Sequence, residues 1–101
     1  MKLQVLQFPA TQVSDLSPLQ GMPLDILQFG DTKVCDLAPL KGMKLIHLGC
    51  QRTPVTDLSP LKGMPLELLE CTFELRRDAK ILRSIRTLKT INGKPAAEVL
   101  K

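Results

Sequence analysis

The chain has 101 residues, enough for one domain, and 44% of them are apolar against 24% charged, a globular balance that excludes a disordered chain. Three Phe with no Trp or Tyr leave an aliphatic core as the only option, and the absence of any apolar run of about eighteen residues excludes a transmembrane helix. The formal charge of +4 is uneven: residues 1–72 carry six Lys or Arg against seven Asp or Glu, and residues 73–101 carry eight against three.

The first segment, MKLQVLQFPATQ, alternates apolar residues with Gln and contains no continuous apolar stretch, so no signal peptide is expected. Leu3, Leu6, Phe8, Thr11 and Val13 read L-x-x-L-x-F-x-x-T-x-V. The same spacing returns in Leu24, Leu27, Phe29, Thr32 and Val34, again in Leu45, Leu48, Cys50, Thr53 and Val55, and partly in Leu66, Leu69 and Cys71. The step is 21 residues, without insertion. Alternation within each short stretch predicts a strand that turns Leu27 and Phe29 inward and Ile26, Gln28 and Gly30 outward. Thr32 and its equivalents are placed to satisfy buried backbone groups after the strand and to form a ladder between units. One hydroxyl does this less fully than an Asn amide.

Each strand is followed by a return leg, V-x-D-L-x-P-L-x-G-M. Asp15, Asp36 and Asp57 stand where an N-cap would, and Pro18, Pro39 and Pro60 fall in a first turn that tolerates proline. Gly21, Gly42 and Gly63 then stop the helix. About five residues remain between cap and stop, which predicts a single helical or 3-10 turn.

A fixed period of this size marks a repeat array whose units cannot bury their apolar faces alone. The strand half resembles the leucine-rich repeat signature L-x-x-L-x-L-x-x-N/C-x-L, with Thr in place of Asn. The D-L-x-P-L phrase resembles bacterial leucine-rich repeats of the internalin type. The resemblance implies an α/β fold, a right-handed solenoid with a concave parallel sheet, short convex turns and a helical C-terminal cap. The array would span residues 1–73 and the cap residues 74–101.

Past Phe73 the register fails, since Glu74 and Arg76 occupy slots for Thr and Val. Asp78 is expected to cap a helix over 79–85, with Ile81, Leu82 and Ile85 on one face. Leu88 and Ile91 form a last strand, Asn92-Gly93 a turn, and Pro95 starts a final helix. This ending also resembles the closure of bacterial leucine-rich repeat proteins in which such arrays follow a Ser/Thr kinase domain; no kinase motif occurs here. The chain opens inside a strand, so the first unit should expose an apolar face and a strand edge. That implies either excision from a longer array or a homo-oligomer formed through this end.

Outward positions align in columns: Val5, Ile26, His47 and Leu68; then Gln7, Gln28, Gly49 and Glu70; then Pro9, Gly30, Gln51 and Thr72; then Ala10, Asp31, Arg52 and Phe73. The family resemblance makes this surface the place where a protein partner docks, with Ile26, Gln28, His47, Gln51, Arg52, Leu68 and Glu70 as contacts. An apolar stripe at solvent-facing positions suits an interface. His47 is the sole histidine and has no second metal ligand one unit away, and no nucleophile or acid/base pairing recurs on this face, so neither a metal, a cofactor nor an enzyme is expected. Cys50 and Cys71 occupy inward slots as small hydrophobes, and Cys35 lies in a loop as the exposed thiol. Three cysteines without a C-x-x-C pair fit a reducing, cytoplasmic setting better than a disulfide framework. Arg76, Arg77, Lys80, Arg83, Arg86 and Lys89 form a basic set, but no aromatic residues interleave them for base stacking, so nucleic acid is not the expected partner.

Overall fold

A computed structural model describes residues 4–72 and 75–100, with the side chains of Leu75 and Arg76 not described; Leu3, Phe73 and Glu74 of the sequence pattern lie outside this description. The chain is a small α/β protein built on one six-stranded, mostly parallel sheet. Strands β1 (Val5–Gln7), β2 (Ile26–Gln28), β3 (His47–Cys50), β4 (Leu68–Cys71), β5 (Thr90–Ile91) and β6 (Lys94–Pro95) lie side by side in chain order. The first five are parallel and β6 is antiparallel to β5.

The repeat sets the register. Val5 pairs with Ile26, Ile26 with His47 and His47 with Leu68, so equivalent residues of successive units are neighbours across the sheet. Strands β2 to β5 are entered by the same bond pattern. The Gln4 carbonyl accepts the Asp25 and Ile26 N–H groups, Asp25 accepts those of Ile46 and His47, and Ile46 accepts those of Glu67 and Leu68. Only the last step differs, because Leu69 pairs with Ile91, 22 residues on.

Inward side chains then meet their own counterparts. Leu27, Leu48 and Leu69 are fully buried, as are Leu37, Leu58 and Leu40, Leu61 from the return legs. Phe29 stacks on Phe8 with centroids 5.9 Å apart, and Cys50 and Cys71 continue that column as buried free thiols. Neighbouring Cys71 and burial push the Cys50 thiol pKa up, which holds it protonated. Cys35 is exposed.

Each return leg contains one 3-10 turn: Ser17–Leu19, Ala38–Leu40 and Ser59–Leu61. The Asp before each turn acts one residue earlier than an N-cap would, since Leu16, Leu37 and Leu58 hold the cap positions without a side-chain bond. Asp15, Asp36 and Asp57 instead accept the backbone N–H two residues on, each at 2.9 Å, closing an Asx turn. Gly21, Gly42 and Gly63 follow at φ 81, 84 and 84°, a region costly for any residue with a Cβ.

These bonds hold the Asp15 and Asp57 carboxyls below their usual range, through the N–H of Ser17 and Ser59 respectively. A carboxylate depressed on folding adds stability that is complete above its unfolded pKa, about 3.9, and is lost as pH falls through the folded value. Urea titrations between pH 6 and the acid limb should therefore show Asp15→Asn/Asp57→Asn losing less stability on acidification than the wild-type chain.

The threonines bond within their own unit and not between units. Thr11, Thr32 and Thr53 donate to the carbonyls of Phe8, Phe29 and Cys50 at 3.0, 2.8 and 2.7 Å. The hydroxyls of Thr11 and Thr32 also accept the N–H groups of Val13 and Val34 at 3.5 and 3.4 Å, again within the unit, so among the described residues these threonines form no ladder across the sheet.

The C-terminal segment closes the sheet end. Helix α1 runs over Leu75–Ser84, four residues earlier than a helix capped by Asp78. Asp78 lies inside the first turn at 1% exposure, paired with Arg77 through bonds of 2.9 and 2.8 Å. An acid in the first turn also suits the helix dipole. Leu82 and Ile85 enter the core. Asn92 and Gly93, at φ 51 and 79°, make the two-residue hairpin between β5 and β6, as the Asn-Gly pair predicts. Helix α2 covers Ala96–Val99, with Pro95 just ahead of it at the cap position. Among the described residues no helix is long and apolar enough to cross a membrane.

Candidate functional site

The strands are so short that each offers few side chains to the face turned away from the core. Stacking in register converts those few into continuous rows. On β2, β3 and β4 the first row is Ile26, His47 and Leu68, all half-buried, and the second is Gln28, Gly49 and Glu70.

The rows are tied together by side-chain bonds. Gln7 Nε2 donates to Gln28 Oε1 at 2.6 Å. Gln28 Nε2 lies 3.2 Å from His47 Nε2, and the same imidazole nitrogen lies 3.3 Å from Glu70 Oε1. One nitrogen cannot accept from an amide N–H and donate to a carboxylate at the same time. The tautomer of His47 therefore selects which neighbour it serves, while Ile26 and Leu68 flank it with apolar surface.

Gly49 opens a gap in the second row, and Gly30 opens one in the third. Both glycines are buried, because the Gln51 side chain lies across them. A Cβ on Gly30 would stand 2.8 Å from the Gln51 amide, and one on Gly49 would meet Gln28 at 3.2 Å. Gln51 Oε1 is buried there without a hydrogen-bond partner.

Beyond Gln51, Ala10, Asp31 and Arg52 occupy equivalent left-handed positions at φ 57, 59 and 55°. Arg52 forks onto Asp31 with Nε–Oδ1 2.5 Å and Nη2–Oδ2 2.7 Å, which lowers the Asp31 pKa. The Arg52 N–H donates to Thr72 Oγ at 2.8 Å. Gln51, Arg52, Glu70, Thr72 and Asn92 line an open cleft of about 510 Å³.

Of the seven expected contacts, the sheet brings Ile26, Gln28, His47, Leu68 and Glu70 into one patch. Gln51 covers the glycine gap beside that patch, and Arg52 is committed to Asp31 at its margin. Gln7 and Asp31 were missed as members, although each stands 21 residues from its partner and complements it. Among the described residues no group of three His, Cys, Asp or Glu side chains is placed to hold a metal ion. Three residues of the basic set are occupied by the protein itself: Arg77 on Asp78, Arg83 on the Leu100 carbonyl and Lys89 on Glu67.

No protein-family model matches this chain, and no curated protein matches it.

Proposed function

We propose that this chain is a leucine-rich-repeat solenoid of the bacterial, internalin-like type, acting as a non-catalytic scaffold that binds a protein partner on the concave face of its sheet. The observation that carries this reading is the patch in which half-buried Ile26 and Leu68 flank His47, whose Nε2 lies within hydrogen-bond distance of both Gln28 and Glu70. Apolar area at the centre supplies affinity on desolvation, and polar side chains already fixed to one another cost little further entropy when a partner arrives. The Asp31–Arg52 fork is exposed and worth little to stability, so its role fits the rim of an interface better than the fold.

Site-specific photo-crosslinking tests this. A benzophenone side chain at Gln28 should give a covalent adduct with one protein from the source cell, and the same group at Lys62, beside the third 3-10 turn, should give none. Adducts from Lys62 alone would reject the sheet face as the binding surface.

A further inference from the structure

We propose that His47 is a proton-driven switch, and that its protonation reverses the direction of the hydrogen-bond row formed by Gln7, Gln28 and His47. Gln7 Nε2 donates to Gln28 Oε1 at 2.6 Å, which leaves the Gln28 amide nitrogen facing His47 Nε2 at 3.2 Å. That imidazole nitrogen must then offer a lone pair. The neutral ring therefore holds its proton on Nδ1, and the row runs donor to acceptor from Gln7 to His47. Glu70 Oε1 stands 3.3 Å from the same nitrogen and receives nothing from it in this state. A further proton, taken from water, can enter only at Nε2. The new N–H donates to Glu70, a charge-assisted bond that the neutral Nδ1–H ring cannot make. The Gln28 N–H now opposes another N–H. Both amides must turn over to relieve this, so that Gln28 Oε1 faces the imidazolium and Gln28 Nε2 donates to Gln7 Oε1. Each amide needs only a half-turn about its terminal torsion.

The setting isolates this one titration. His47 is half-buried on β3, with Ile26 of β2 and Leu68 of β4 as its neighbours across the sheet. Among the described residues, the titratable group at hydrogen-bond distance from the ring is Glu70 of β4, while β2 presents the uncharged Gln28 and Ile26. The other charges of these strands and their flanks are engaged elsewhere. Asp25 accepts the Gln4 N–H, Glu67 pairs with Lys89, and Asp31 pairs with Arg52. The switch deepens the sheet-face reading and rests on it for its consequence. The neutral row ends in an exposed Gln7 that offers its carbonyl oxygen, and Glu70 keeps its charge uncompensated. The protonated row ends in a Gln7 that offers N–H groups, and the imidazolium offsets Glu70. One proton thus changes the acceptors and the charge that a docked protein meets, so docking on this face is proton-linked.

Imidazole-nitrogen and side-chain-amide NMR of the free 101-residue chain tests this, titrated from about pH 8.5 to about pH 5, the span in which imidazoles gain a proton. No partner is needed, so the switch and the docking surface can fail separately: crosslinking at Gln28 reports on the surface, and this titration on the switch. At the upper end the nitrogen shifts should place the His47 proton on Nδ1, and acidification should add a second on Nε2. The Gln7 amide signals should move with the same midpoint, although Gln28 stands between Gln7 and His47. Gln28→Met breaks the link. Its neutral His47 should carry the proton on Nε2, held by Glu70, and should still titrate while the Gln7 amide stays still. A proton already on Nε2 of neutral wild-type His47 overturns the proposal. So does a wild-type His47 that stays neutral down to about pH 5, a Gln7 amide that ignores its titration, or one that follows it equally in Gln28→Met.

Discussion

Leu48→Ala should destabilise the protein by about 2–5 kcal/mol, measured as a shift of the urea midpoint at unchanged slope. Leu48 is fully buried on β3, between Leu27 and Leu69 as its direct partners on the two neighbouring strands. Truncation leaves a hole that must be filled from both sides. Neither neighbour can move to fill it without disturbing its own strand, so little collapse is available. Leu6→Ala removes the equivalent side chain from the first unit, where Leu6 is only partly buried, and should cost less than half as much. Equal losses at the two positions would mean that units do not depend on cover from both sides.

Asn92→Ala should cost about 1–3 kcal/mol although Asn92 itself is exposed. Strand β4 is longer than β5, so Cys71 has no backbone partner on that side. The Asn92 amide takes its place: Nδ2 donates to the Cys71 carbonyl and Oδ1 accepts the Cys71 N–H, both at 2.9 Å. Alanine removes both bonds and must also hold φ near 51°, where a Cβ is strained. Asn92→Gly relieves the strain but not the lost bonds, so it should recover only part of the stability. Asn92→Asp keeps the acceptor for the N–H and sets a carboxylate against the carbonyl, which should place it no better than glycine. Full recovery in Asn92→Gly would make the hairpin conformation, and not the amide bridge, the source of the effect.

Much of the fold was legible because the repeat aligns chemistry as well as spacing. Leu27, Leu48 and Leu69 declared the inward face, and Asp15, Pro18 and Gly21 with their copies declared a short turn between strands. The features that were not legible depend on groups that sequence columns treat separately. Gln51 spans two columns to lie over Gly30 and Gly49, and each glycine by itself reads only as a missing side chain. Asn92 reads as a turn residue from its Gly neighbour, and its service to Cys71 follows only from the length difference between β4 and β5. The start of α1 was misplaced because Asp78 has the chemistry of a cap, while burial against Arg77 puts it in the first turn. For the candidate site, opposite residues at equal positions carried a usable signal: Asp31 and Arg52 pair as their columns allow. The His47 nitrogen shared by Gln28 and Glu70 required side-chain positions that no spacing encodes.

The most direct measurement is the affinity of the crosslinked partner for Ile26→Asp/Leu68→Asp against that for Lys41→Glu/Lys62→Glu, both by isothermal titration at one salt concentration. Losing two central apolar contacts should weaken binding by at least about thirtyfold, the scale of one hot-spot residue, while the turn-side pair should stay within about threefold of wild type. The reverse ranking, with both variants folded, would contradict the assignment of the binding surface to the outer face of the sheet.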